Sequence, residues 1–101
     1  MKHFLDGNAE TREVYLDGVF LSPKRSQEVW NHSPDGFNWG YEGSGPSQLA
    51  LAITLKLTGK ADHYQDFKRA VIAIIRQGSN FEIEFEFDAE HNKYWIMKSI
   101  V

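Results

Sequence analysis

Eight consecutive residues, Phe81-Glu82-Ile83-Glu84-Phe85-Glu86-Phe87-Asp88, alternate without exception between apolar and acidic. Successive side chains of an extended strand point to opposite faces. The pattern therefore places Phe81, Ile83, Phe85 and Phe87 on one side and four carboxylates on the other. Such a strand needs a sheet with one face buried and one face in water, because a slip of one residue would bury the acids.

The remaining elements are read around that strand. Lys2–Leu5 is a short strand, followed by a polar loop over Asp6–Arg12. Asp17-Gly18 stands between Glu13–Leu16 and Val19–Leu21 and predicts a hairpin, since a type I′ turn needs φ > 0 at both central residues. Ser22-Pro23 interrupts the ladder, and Gln27–Asn31 is a further strand candidate. Ser33-Pro34-Asp35-Gly36 is a turn. Phe37, Trp39 and Tyr41, at period two, predict an extended segment laid on the core.

Gly43-Ser44-Gly45-Pro46 opens a helix, with Gly45 as cap and Pro46 at the first helical position. Gln48–Leu57 is mostly Ala, Leu and Ile, which predicts burial on most sides, and Gly59 stops it. A second helix is expected over about Asp62–Arg76, with Tyr64, Phe67, Val71, Ile74 and Ile75 inside and Lys68, Arg69 and Arg76 outside. Ala89–Asn92 is a turn, and Tyr94–Val101 reads as a strand, with a short helix through Tyr94, Met97 and Val101 as the other option. The sum is an α+β fold: a mainly antiparallel sheet of hairpins with two packed helices, about 46–58 and 62–76.

The chain has 101 residues, which is one domain, 1–101. Seven Phe, four Tyr and three Trp supply its core, and a dinucleotide fold with a separate substrate domain does not fit in this length. Absence of cysteine excludes a disulfide framework and a thiol nucleophile. A net charge of −3 argues against direct nucleic-acid binding, which calls for a basic excess. Met1–Leu5 has no apolar signal region, and no apolar run approaches the roughly 20 residues of a bilayer span. The expected location is the cytoplasm, with no membrane partner and no cofactor.

Trp30-Asn31-His32-Ser33-Pro34, then the run from Trp39 through Gly43-Ser44-Gly45-Pro46 to Ala52, then Tyr64-Gln65-Asp66-Phe67-Lys68 resemble a family of small bacterial and mobile-element proteins catalogued as a domain of unknown function. The likeness rests on a WGYxGSGPxxLALA core followed by YQDFK and covers about Val14 to Gln77, with the acidic strand as the main departure. It implies a bacterial or phage setting and supplies no activity.

Two stretches carry candidate sites. At the glycine turn, free N–H groups and the helix dipole can hold an anion. Gly43, Ser44, Gly45 and Ser47 would grip it, and Trp39 and Tyr41 would stack on a base or sugar. The plainer reading is a tight entry into a buried helix with the aromatics as core. The second stretch is the row Glu82, Glu84, Glu86 and Asp88, extended by Glu90. Its repeat of roughly 6.6 Å resembles that of phosphates along an extended nucleic-acid strand and suits a cationic groove. In a regular hairpin Glu82, Glu84 and Glu86 face Ser99, Met97 and Trp95, none of them a cation. The plainer reading here is a solvated strand face.

Ser44, His32 and Asp66 form no recognised catalytic motif, and His3, His32, His63 and His91 lack metal-ligand spacing. The expectation is a non-enzymatic interaction module with a protein partner, an inhibitor of a host protein acting through the acidic strand. The alternative is a binder of a small anionic or nucleotide ligand at the glycine turn. Neither reading fixes an oligomeric state.

Overall fold

The computed structural model describes residues 1–88, 90–91 and 93–100, the side chain of Ile100 apart. Among them are strands β1 (Lys2–Gly7), β2 (Val14–Leu16), β3 (Val19–Phe20), β4 (Phe81–Asp88) and β5 (Lys93–Ile100). They form one sheet in the order β3-β2-β1-β4-β5, antiparallel throughout. Between β3 and β4 the chain makes α1 (Lys24–Val29), α2 (Ser44–Thr58) and α3 (Tyr64–Phe67), and α3 runs on into a π-helical turn over Lys68–Ile72. This is the α+β fold expected from the pattern.

Strand β4 behaves as its alternation requires: Phe81, Ile83, Phe85 and Phe87 are buried, and the acids between them are exposed or half-buried. Leu5 stands opposite Ile83 and His3 opposite Phe85 on the same inner face. Leu49 and Ile53 of α2, and Phe67 and Val71 beyond it, join them in one core cluster. The Phe67 and Phe85 rings lie 5.6 Å apart. Helix α2 is buried at every residue from Gly45 to Leu55. The Asp17-Gly18 hairpin forms with φ of 53° and 80°, as a type I′ turn demands.

Four local expectations need correction. Gln27–Asn31 is not a strand, because Lys24–Val29 is helical. Gln27 N–H closes on the Pro23 carbonyl at 3.0 Å and the Ser26 hydroxyl on the same carbonyl at 2.7 Å, so the proline nucleates a turn. Val29 and Trp30, the apolar content of the supposed strand, are both exposed and offer no buried face. Helix α2 begins two residues early, with Gly43 as its cap. Phe37 and Trp39 are buried as expected, but Tyr41, the third aromatic of the segment, is only half-buried. In the loop after β4, Glu90 and His91 form a turn, while Ala89, Asn92 and Val101 lie outside the described residues.

The fourth correction concerns the second helix, which spans Tyr64–Ile72 rather than 62–76. The Ala73 N–H reaches back five residues to the Lys68 carbonyl at 2.8 Å. A five-residue closure admits one extra residue and rotates everything after it. Ile72 therefore takes the buried position, and Ile74, expected inside, is 65% exposed. Lys68, expected outside, is 8% exposed. The helix stops where the Ile72 carbonyl, which a continuing α-helix would offer to Arg76, instead accepts the Gly40 N–H at 3.1 Å and the Ile75 N–H at 3.3 Å. Gly40 has φ of 85°, and a Cβ there would sit 2.5 Å from Gln77 Cα, so only glycine permits this contact.

The phase change is testable by denaturant titration. Ile72→Ala is expected to cost about 2–5 kcal/mol, because it empties a core position. Ile74→Ala is expected to stay within about 0.5 kcal/mol, as for an exposed site. A regular helix would give the reverse order.

Candidate functional site

The glycine turn is closely packed. Trp39 lies in the core, its indole N–H donating to the Ser79 carbonyl at 3.0 Å and its ring set edge-on to Phe81 at 4.8 Å. Tyr41 folds back over the helix start. A Cβ on Gly43 would meet its ring at 2.5 Å, and one on Gly45 would lie 3.1 Å from its hydroxyl and 2.6 Å from Asn38 Cβ. Ser47 is buried, with its hydroxyl 3.3 Å from Gln65 Oε1, while Ser44 is exposed. Trp39 is thus not free to stack on a ligand, and Tyr41 occupies the space over Gly43 and Gly45.

The next residue, Gln48, is a buried polar hub. Its Oε1 accepts the Ser33 N–H at 2.9 Å, and its Nε2 donates to the Ser26 hydroxyl at 2.8 Å and the Trp30 carbonyl at 3.1 Å. The helix that the glycines admit therefore pins the Trp30–Ser33 loop.

The acidic strand lies on the sheet face turned away from the helices. Glu82 stands opposite Asp6 on β1, Glu84 opposite Phe4, and Glu86 opposite Lys2. On the other side, β5 carries one irregularity: Lys98 pairs with Glu84 but Ile96 with Phe85, leaving Met97 as an extra residue. The bulge replaces the expected partners. Glu84 faces Lys98 rather than Met97, Glu82 faces Ile100 rather than Ser99, and only Glu86 keeps Trp95. A cation does, then, stand opposite the middle of the row.

Asp88 is engaged locally. Its carboxylate accepts the backbone N–H groups of Glu90 and His91 at 3.1 and 3.3 Å and sits 2.8 Å from His91 Nδ1. The His91 imidazole chiefly, with those backbone N–H groups, holds Asp88 below the usual carboxylate range, outweighing desolvation. Glu90 belongs to the turn and does not prolong the strand row. The row on the open face is thus Glu82, Glu84 and Glu86, joined by Asp6.

Phe4, Tyr15, Phe20 and Trp95 are exposed beside these acids, with Tyr15 and Phe20 edge to face at 5.7 Å. Cross-strand pairing assigns all four to this face: Phe4 to Glu84, Tyr15 to Asp6, Phe20 to Tyr15, and Trp95 to Glu86. At one end, Asp6, Glu13, Tyr15 and Glu82 border a depression of about 500 Å³. Sequence reasoning placed Trp95 beside Glu86 but missed Phe4, Tyr15 and Phe20, because which residues flank the acids on the β1 side depends on strand order. Among the described residues no group of His, Cys, Asp or Glu is arranged to hold a metal ion. No described helix is long and apolar enough to cross a membrane.

A family model matches residues 5–97. The chain belongs to DUF6166, a family of unknown function. No curated protein and no solved structure matches it. The DUF6166 match extends past the Val14–Gln77 stretch that carries the resemblance and takes in all of β4, so the acidic strand is part of the family region.

Two measurements probe these arrangements. Gln48→Leu is expected to destabilise by about 1–3 kcal/mol for each polar group left buried without a partner. Hydrogen exchange at His32 and Ser33 should quicken with it. Asp88, with its folded pKa depressed, contributes to the hairpin above its unfolded value and stops doing so as pH falls through the folded one. Its carboxyl carbon should accordingly titrate below the usual range by NMR, and the Glu90 and His91 amides should lose protection over the same acidic interval.

Proposed function

We propose that this chain is a non-enzymatic interaction module that docks a cationic protein surface on the outer face of its sheet. The supporting observation is the composition of that uncovered face. Glu82, Glu84, Glu86 and Asp6 stand against three cations, Lys2, Lys98 and the Met1 ammonium, the last paired with Glu86 at 2.6 Å. Four exposed aromatics lie among them. Carboxylates steer and orient a basic partner, and aromatic rings take the apolar stems and charged heads of its Lys and Arg side chains. The depression between Asp6, Glu13 and Glu82, about 500 Å³, has the volume to receive one such side chain.

A row of carboxylates at strand pitch also imitates a charged backbone, so the partners best suited are proteins with a groove built for nucleic acid. In a bacterial or phage cytoplasm, occupying such a groove would inhibit a host protein. The alternative, an anionic ligand at Gly43–Ser47, has less support, since Tyr41 covers the turn and Trp39 is spent in the core.

Charge reversal of the row, Glu82→Lys with Glu84→Lys and Glu86→Lys, is expected to abolish capture of the partner with the melting temperature little changed. Binding should also weaken as salt rises toward the range where exposed charges are screened. A partner retained equally by wild type and triple variant would sink the proposal.

A further inference from the structure

On the helical side of the sheet, Lys68 occupies an unusual position. It is 8% exposed, yet among the described residues no carboxylate lies within 4.0 Å of its ammonium. The neighbouring acids are engaged elsewhere: Asp66 with Arg69 at 3.4 Å and His63 at 3.6 Å, and Glu42 with Arg69 at 3.3 Å. Among the described residues no fully buried side-chain nitrogen or oxygen lacks a hydrogen-bond partner. The Lys68 head therefore reaches solvent while its stem is enclosed, a single cation at the mouth of a packed niche.

Lys68 stands one helical turn after Tyr64, whose carbonyl accepts the Lys68 backbone N–H, so the two side chains share a helix face. His32 Nε2 lies 2.7 Å from the Tyr64 hydroxyl. The His32 ring is stacked on Trp30 at 5.6 Å and 14°. Trp30 is 63% exposed. Its backbone is held in place, since the main-chain N–H donates to the Ser26 carbonyl at 2.9 Å and the main-chain carbonyl accepts from Gln48. Burial, and then the Lys68 ammonium, push the His32 imidazole below its usual pKa.

We propose that Trp30, His32, Tyr64 and Lys68 form a binding site for a small planar anion of the nucleoside monophosphate class. The base stacks on the open face of Trp30, a contact indifferent to sequence because every base has a π-face. The phosphate pairs with Lys68 and takes hydrogen bonds from Tyr64 and His32. A phosphate monoester suits this set because its second ionisation lies near pH 6, so it arrives as a dianion able to meet one fixed cation and one imidazole. By linkage, the bound dianion raises the affinity of His32 for a proton, which it takes up from solvent. The site is separate from the acidic face, and the variants that remove one leave the other in place.

The test is an NMR titration of the whole chain with adenosine 5′-monophosphate, adenosine and inorganic phosphate in parallel. The nucleotide is expected to shift the Trp30 indole and His32 ring signals, leave those of Trp39 and Trp95 unmoved, and raise the His32 pKa. Lys68→Met keeps the buried stem and should weaken binding about 10- to 100-fold, the range for hydrogen bonds to a charged group. Trp30→Ala, at an exposed position, should weaken it about tenfold or more through lost stacking. Nucleotide affinity unchanged in both variants overturns the proposal. So do shifts confined to other residues, equal binding of inorganic phosphate and nucleotide, or binding of a single-stranded oligonucleotide without the mononucleotide.

Discussion

The pairing of β1 with β4 is the constraint on which the rest depends. Leu5 opposite Ile83 and His3 opposite Phe85 set which side of the sheet is core. Slipping β1 by one residue would turn Phe4 inward and expel Leu5, and slipping β4 would turn Glu84 inward and expel Ile83. Everything else takes its side from that choice. The helices cover the Ile83 face, the Glu84 face stays open, and the hairpin of β2 and β3 and the strand β5 extend the same two surfaces sideways. The acidic row is the other side of the core pattern, so its position is as strongly specified as the core itself.

Gln48 does for the helical layer what that register does for the sheet. A fully buried amide with three partners ties α2 to α1 through Ser26 and to the loop after it through Trp30 and Ser33. The close packing of Gly45 on Asn38 brings the helix near enough for this to happen. The glycine turn thus has a structural consequence several residues downstream: it orients an exposed tryptophan that it does not touch.

The features legible in the residues alone are those whose cause is local. Strand β4 follows from its period and the β2–β3 hairpin from Asp17-Gly18, both without knowledge of neighbours. Helix α2 follows from an apolar run closed by Gly59. What escaped depends on distant partners. The π-helical turn, which exchanges Ile74 for Ile72 and encloses Lys68, goes with the Gly40 amide arriving at the Ile72 carbonyl. The bulge at Met97 that brings Lys98 opposite Glu84 is a property of a strand pair. The acids of the candidate face were therefore visible in the chain, but Phe4, Tyr15 and Phe20, drawn from two other stretches, were not.

The central place of β1 has a consequence for the order of events during folding. Its two neighbours come from opposite ends of the chain: β2 begins seven residues after β1 ends, and β4 arrives only at Phe81. A nascent chain can close the ladder of β1, β2 and β3 early, but β1 must then wait, one edge unpaired, until synthesis has passed Asp88. Pairings this distant in sequence slow folding and lengthen the exposure of open strand edges. The buried run of α2, synthesised in the interval, is the element placed to shelter the apolar face of that unfinished sheet until β4 completes it.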